Sequence, residues 1–270
     1  MSDKKITLYN GVEIPVLGAG TWQISDENAK DVVKNAVEVG YLHIDTAAAY
    51  ENESGVGRGI KASGIAREKL FVTSKIPAEY KSYELATRTI EESLKFLQTN
   101  YIDLMLIHAP RPWDEMSEEN GKNYNEENLS VWKALEEGYA DGRFRSIGVS
   151  NFSVSDLKNI MNNSKIKPMV NQISCFIGRF PKETIEFCKE NDIVVEAYSP
   201  MATGALLKDV EIGKMAAKYG VKISQLCIKY VLQLGLVALP KTTHKKYMEE
   251  NAALDFEISR QDMEKLMNFQ

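Results

Sequence analysis

Cysteine, histidine and tryptophan each occur only three times among 270 residues. Cys175, Cys188 and Cys227 are odd in number and form no C-x-x-C pair, so a disulfide framework is not expected and a reduced, cytoplasmic setting is. His43, His108 and His244 are scattered, and no His/Cys set has zinc spacing, so no metal site is expected. Long apolar runs are missing too: the longest mostly apolar stretch, 230–240, falls far short of the roughly 18 residues that cross a membrane. The opening Met-Ser-Asp-Lys-Lys has none of the apolar core of a secretion signal. Positive charge is not in excess. With 33 basic and 38 acidic residues the net charge is −5, which gives no overall attraction to nucleic acid or anionic lipid, and any phosphate must be held by a local site. At 44% hydrophobic and 26% charged, the composition is that of a globular protein and excludes disorder, collagen and coiled coil.

Short apolar, β-branched runs alternate with helical stretches. They begin near Leu17, His43, Leu70, Ile102, Phe144, Pro168, Val194 and Val237, and every gap has room for the crossover that parallel strands need. Val32, Val33, Ala36, Val37 and Val39 fall close to one helical face, with Ser25 or Asp26 as cap and Gly40 at the position of a C-terminal glycine. The stretch 109–125 reads as a long polar loop, and two helices, near 210–219 and 224–234, fill the long gap after Tyr198. Further helices are expected near 245–252 and 259–269. Ahead of the first main strand, Ile6-Thr7-Leu8 and Val12-Glu13-Ile14 flank Asn10-Gly11, a hairpin signal. No linker or repeat interrupts the chain. The reading is α/β: one (β/α)8 TIM barrel over residues 1–270, with an N-terminal β-hairpin and extra helices late in the chain.

A barrel strand carries its chemistry at its C-terminal end, where the βα loops gather. Here Asp45, Lys75, His108, Ser150-Asn151, Asn171-Gln172, Tyr198-Ser199 and Lys241-Thr242 end successive strands, which implies one ring of polar groups around one mouth. Seen singly, each has a bland reading: Lys75 snorkels to the rim, Asp45 caps a helix, His108 is a satisfied core histidine, Tyr50 simply packs. Together they lie on adjacent strands. Lys75 and Asp45 would form an ion pair, since an unpaired buried charge is costly. Tyr50 follows the small-residue loop Thr46-Ala47-Ala48-Ala49, which lets its ring lean over the mouth. A phenol titrates near 10, and a neighbouring cation favours its ionised form. With His108 donating to an oxygen on which negative charge develops, the four residues suit carbonyl reduction.

The reductant has to be a cofactor, yet no G-x-G-x-x-G follows a strand and no Tyr-x-x-x-Lys pair occurs. Gly18-Ala19-Gly20 lacks a third glycine, and Gly55-Val56-Gly57-Arg58-Gly59 sits in a loop and helix start. A nicotinamide cofactor would lie along the mouth. Asn151 and Gln172 suit its carboxamide, Tyr198 can stack on its ring, and Lys241 and Thr242 precede a helix N-terminus suited to phosphate.

These residues resemble the aldo-keto reductase family over essentially the whole chain, most closely bacterial members such as the diketogluconate reductases. Gly40-Tyr41-Leu42-His43-Ile44-Asp45-Thr46-Ala through Glu53 and Gly57, Gly148-Val149-Ser150-Asn151-Phe152 and Leu239-Pro240-Lys241-Thr242 carry the likeness. The resemblance implies a catalytic tetrad of Asp45, Tyr50, Lys75 and His108. It also implies NADPH extended across the barrel. Thr21, Trp22, Ser150, Asn151, Gln172, Tyr198, Ser199, Met201 and Thr203 would line its nicotinamide and diphosphate. Lys241, Thr242 and Thr243 would meet the 2′-phosphate, Tyr247 would stack on the adenine, and Glu250 and Asn251 would reach it. Trp22, Tyr50, His108 and Ala109 would face substrate. Several positions depart from the family pattern. Leu42 and Tyr247 replace arginines, the latter leaving NADH as an alternative; Ala109 and Pro77 replace pocket aromatics; Ile173-Ser174-Cys175-Phe176 replaces an acidic, aromatic and His-Pro run; and the chain stops soon after its last helix. A wide pocket with few aromatics is expected. The implied function is NADPH-dependent reduction of aldehydes or activated ketones by a cytoplasmic, monomeric enzyme with a small carbonyl substrate and no nucleic-acid or membrane partner. A nucleotide-sensing or channel-accessory protein on the same fold, with little turnover, is the alternative. A phosphate-handling isomerase would need a carboxylate base at a strand end. Glu196 lies in a suitable stretch, with its side chain's direction relative to Tyr198 depending on a bulge, so this reading ranks last.

Overall fold

A computed structural model describes residues 4–116 and 122–269. The middle of the predicted 109–125 loop, residues 117–121, therefore lies outside the described residues, as do the first three residues and the last. Strands β1 (Lys5–Thr7) and β2 (Glu13–Pro15) pair antiparallel with Ile6 opposite Ile14, and Gly11 takes φ +87° in the turn, as the Asn10-Gly11 signal requires. Asn10 Nδ2 donates to the Arg145 carbonyl and Tyr9 Oη to that of Lys167, which seats the hairpin across the N-terminal ends of neighbouring barrel strands.

The eight barrel strands are β3 (Ala19–Gly20), β4 (His43–Asp45), β5 (Phe71–Ile76), β6 (Ile102–Ile107), β7 (Phe144–Ser150), β8 (Val170–Ser174), β9 (Val194–Tyr198) and β10 (Val237–Leu239), one at each predicted site. All pair in parallel in sequence order. Leu17 bridges Ala238, and Gly18 N–H and Gly20 N–H donate to the Ala238 and Pro240 carbonyls, so the cylinder closes. Every residue of β5 and β6 is buried, the pattern of strands covered on both faces.

Helices α1 (Asp26–Val39), α2 (Glu53–Ser63), α3 (Tyr83–Leu97), α4 (Asn125–Ala140), α5 (Val154–Asn163) and α6 (Lys182–Glu190) follow the first six barrel strands in turn. The pair α7 (Val210–Lys218) and α8 (Ile223–Gln233) fills the gap after β9, and α9 (Lys245–Ala252) and α10 (Arg260–Met267) complete the chain. Helix α1 starts a turn before its apolar stripe, with the Ser25 hydroxyl accepting from Asn28 N–H, and it ends at Gly40 with φ +105°. The glycine run 55–59 is not a loop: it lies inside α2, wedged between α1 and α3. A Cβ on Gly55 would stand 2.1 Å from the Asp26 carbonyl oxygen, and one on Gly57 2.7 Å from that of Leu97. Among the described residues no helix is long and apolar enough to cross a membrane.

The barrel interior is less apolar than expected below its rim. His43, Thr73 and Glu196 are fully buried, with Gln172, Asp45 and Lys75 above them. Pairing of β8 with β9 runs without a bulge from Val170–Val194 to Ser174–Tyr198, so Glu196 and Tyr198 share the inward face.

Candidate active site

Lys75, near the end of β5, is wholly buried, and its charge is met from three sides. Nζ donates to Asp45 Oδ1 at 2.8 Å, to Oδ2 at 2.9 Å and to the Thr46 carbonyl at 2.8 Å. Burial works against the ammonium, but Asp45, Tyr50, the hydrogen bonds and Glu196 outweigh it, and the net pull is toward a more firmly held proton. Tyr50 closes a tight turn, Ala48–Tyr50, that follows β4. Its Oη stands 3.5 Å from Lys75 Nζ, and its ring centroid 5.1 Å from the same atom. The adjacent cation does pull the phenol toward ionisation, but burial outweighs it and the net shift is upward, against the expectation of a lowered value. The cation thus offsets a desolvation cost rather than producing an acidic phenol outright.

His108 follows β6, edge-on to Tyr50 with centroids 5.5 Å apart. Burial, then the Lys75 and Lys81 charges, drive its pKa well below the ordinary histidine value, so the ring is neutral and has one N–H to give. Its Nδ1 is buried without a partner among the described residues. Asn151 Nδ2 donates to the His108 carbonyl at 3.1 Å; Lys81 Nζ grips the next carbonyl, that of Ala109, at 2.7 Å; Asn128 Nδ2 grips that of Pro110 at 2.8 Å. Three side chains from three elements therefore fix the backbone that aims His108.

Asp45, Tyr50, Lys75 and His108 thus converge at the C-terminal end of the barrel. Of the expected cofactor residues, Asn151, Tyr198, Ser199, Met201, Thr203, Lys241, Thr242, Thr243 and Tyr247 are accessible and run along one side of the mouth. Asn151, Ser199, Ala202 and Thr203 all take positive φ, between 49° and 61°, a conformation Asn adopts readily and the other three rarely. Helix α9 begins at Lys245 with no side-chain cap and no acid in its first turn, beside exposed Lys241. An accessible polar strip ending at an uncapped helix start and a free-standing lysine fits an elongated dinucleotide phosphate.

Other expected ligands are turned inward. Thr21 is buried with its hydroxyl on the Asp45 carbonyl at 3.0 Å, Ser150 Oγ donates to the Gln172 carbonyl, and Asn251 is on the buried face of α9. Gln172 gives both amide hydrogens away, to Asp45 Oδ2 and Glu196 Oε2, each at 2.8 Å. Glu250 is paired with Lys222 at 2.5 Å. Ala109, expected to face substrate, is fully buried, and its carbonyl is held by Lys81. Trp113 takes that place: half-exposed, its ring meets His108 edge-on at 5.2 Å, while Trp22 stands exposed on the opposite loop. The sequence signal for Trp113 was a large aromatic in an otherwise polar loop after His108. Asn52 was also missed. Buried beneath the Tyr50 turn, it donates to the Thr21 and Ile24 carbonyls and accepts from Thr46 Oγ1 at 2.8 Å, tying that turn to the loop after β3. No residue type at that position announces such a role in advance.

Comparison with known proteins agrees with this geometry. The sequence model of the Aldo/keto reductase family matches residues 16–269. Glyoxal reductase of Bacillus subtilis (strain 168) is 42% identical over 263 residues, spanning 97% of this chain and 91% of that one. The crystal structure of an aldo/keto reductase from Brucella melitensis superimposes with a TM-score of 0.91 at 34% identity, covering 99% of this chain and 98% of that one. A Bombyx mori aldo-keto reductase in complex with NADP does so with a TM-score of 0.88 at 32% identity, covering 98% and 92%. The chain belongs to the aldo/keto reductase family.

Proposed function

We propose that the protein reduces aldehydes or activated ketones to alcohols with NADPH, and that Tyr50 delivers the proton to the carbonyl oxygen. The observation that carries this reading is the buried Lys75 ammonium, 2.8 Å from Asp45 Oδ1 and 3.5 Å from Tyr50 Oη, beside a neutral His108. Dihydronicotinamide, when bound, supplies the hydride that the carbonyl carbon accepts. The residues of the chain handle the oxygen. As negative charge grows there, Tyr50 O–H and the His108 N–H meet it, and the phenol proton passes across. Lys75, locked by Asp45 and the Thr46 carbonyl, stabilises the tyrosinate left behind, and solvent restores its proton. Trp22 and Trp113 flank the opening and suit small, partly apolar carbonyl compounds. The relative named glyoxal reductase supports the aldehyde class, and the neighbour solved with NADP supports the cofactor. Accessible Asn151 and Tyr198 would meet the nicotinamide end, and Lys241 with Thr242 the 2′-phosphate.

Steady-state consumption of NADPH with glyoxal, methylglyoxal and a nitrobenzaldehyde tests the activity. Turnover of about 1 s⁻¹ or more is expected for a good substrate. Nucleotide binding with negligible turnover on all three would instead favour a sensing protein. Lys241→Met should weaken NADPH but not NADH by about tenfold, the effect of losing one exposed charge on a phosphate. Equal effects on the two dissociation constants would remove Lys241 from the phosphate role.

A further inference from the structure

Beneath the tetrad lies a second set of titratable groups for which the reaction just described has no use. His43 Nδ1 sits 3.4 Å from the Pro15 carbonyl, which can only accept, so Nδ1 carries the ring hydrogen and Nε2 the lone pair. Thr73 Oγ1 donates to that lone pair at 3.1 Å. Glu196 Oε1 faces the same Nε2 at 3.6 Å and has no other partner, although both side chains are wholly buried. A bare carboxylate oxygen held against a neutral imidazole lone pair repels it. Protonation of Glu196 removes that repulsion and the cost of an uncompensated buried charge, although at 3.6 Å, with Nε2 already accepting from Thr73, the acid makes no hydrogen bond to His43. The other oxygen, Oε2, accepts from Gln172, whose second amide hydrogen goes to Asp45 Oδ2. Hydrogen bonds thus run continuously through Glu196–Gln172–Asp45–Lys75–Tyr50, with His43 packed against the Glu196 end.

We infer that the His43–Glu196 pair holds one proton inside the barrel and acts through Gln172 as a positioning and tuning device for the Asp45–Lys75 pair. With that proton in place, one carboxylate balances one ammonium in the interior. The charged and titratable groups facing Glu196 are His43 and Asp45 of β4 and Lys75 of β5. Asp103 of β6 acts on His43, and the strand neighbours are Gln172 of β8 and Val237 of β10. Burial first, then Asp45, pushes the Glu196 carboxyl up to about 8, while burial holds His43 down at about 4, in keeping with a neutral pair at physiological pH. Losing the proton places a second negative charge one amide away from Asp45. That charge opposes tyrosinate formation, makes Tyr50 a weaker acid and slows reduction on the alkaline side. His43 and Glu196 touch no reacting atom; they are positioning residues.

The inference rests on the proposed reductase activity for its kinetic consequence, but not for the proton itself. Glu196→Gln is the informative variant, since an amide oxygen can still accept from Gln172 and an amide N–H can face His43, mimicking the protonated acid. The kcat of this variant should match wild type within about twofold near pH 6 and exceed it about threefold or more near pH 9, because only the wild type acquires the extra charge. Superimposable pH profiles would overturn the tuning role. Infrared spectra give a readout independent of turnover: a protonated-carboxyl stretch in wild type near neutral pH, lost on alkaline titration and missing from Glu196→Gln. Absence of that band from the wild-type minus variant difference would overturn the protonated pair whether or not the chain reduces carbonyls. A band that is present in a chain without turnover would instead count against the reductase reading alone.

Discussion

Lys75 illustrates how one residue serves stability and chemistry at once. An ammonium with no exposed surface survives only because Asp45 and the Thr46 carbonyl surround it. Lys75→Met leaves the Asp45 carboxylate buried with Gln172 as its remaining side-chain donor, and should cost about 3–5 kcal/mol in denaturant unfolding as well as the activity. Adding Asp45→Asn should return much of the stability, since removing both charges leaves nothing uncompensated, but none of the turnover. If the double variant is no more stable than Lys75→Met, the pair is not the coupled unit drawn here. The pH dependence of stability carries the same logic for Glu196. A carboxyl whose proton is held to about 8 in the folded chain binds more protons folded than unfolded between its ordinary value and 8. Wild-type stability should therefore fall over that window relative to Glu196→Gln, by a few kcal/mol in total, and the gap should close at lower pH. Melting temperatures of the two proteins from about pH 4 to 9 check the sign. Asp45, Lys75 and His108 were legible because a polar side chain ends an apolar strand, and Tyr50 because it follows a loop of small residues. The His43–Glu196 contact was not: the two residues lie far apart in sequence, on β4 and β9, and only the curvature of the cylinder brings them together.

At the scale of elements, α2 shows how a glycine pattern misleads. The 55–59 run reads as a loop and helix start, yet its glycines lie inside α2 and let it pack against the backbones of α1 and α3. Gly57→Ala forces a Cβ to 2.7 Å from a carbonyl oxygen that cannot swing aside, and should destabilise the fold by about 1–3 kcal/mol despite alanine's better helix propensity. Gly213, in α7, is the control. Its Cβ would meet only Ile223 Cδ1 at 3.6 Å, so Gly213→Ala should stabilise by about 0.5–1 kcal/mol. Chemical denaturation of both variants distinguishes packing from propensity, and the account fails if the two shift in the same direction. Helices and strands themselves were readable, because the apolar periods of α1 and the short runs at each strand leave little choice of element. Boundaries depended on caps: Ser25 starts α1 a turn earlier than its apolar stripe suggests.

For the whole molecule, closure is what turns separate strand ends into a site. The Leu17–Ala238 bridge brings the first and last strands together, and with them Thr21 and Lys241 to opposite sides of one seam. The hairpin seals the other end, leaving the C-terminal mouth as the face that carries the accessible polar strip. Barrel class followed from eight alternating strand candidates, and the mouth from the seven of them that end in polar residues. Which of those residues face outward did not, since Ser150 and Gln172 are indistinguishable from their accessible neighbours until strand register turns their side chains inward, and Thr21 and Asn251 until the loop and helix that carry them pack. The proposed reaction depends on one proton leaving Tyr50. Single-turnover reduction of an aldehyde by the NADPH complex, followed by loss of nicotinamide absorbance in wild type and Tyr50→Phe, tests that step without interference from product release. A fall of about 10²–10⁴ in the rate of hydride transfer is predicted for the variant, the range for loss of a general acid, and a rate within a few-fold of wild type would contradict it.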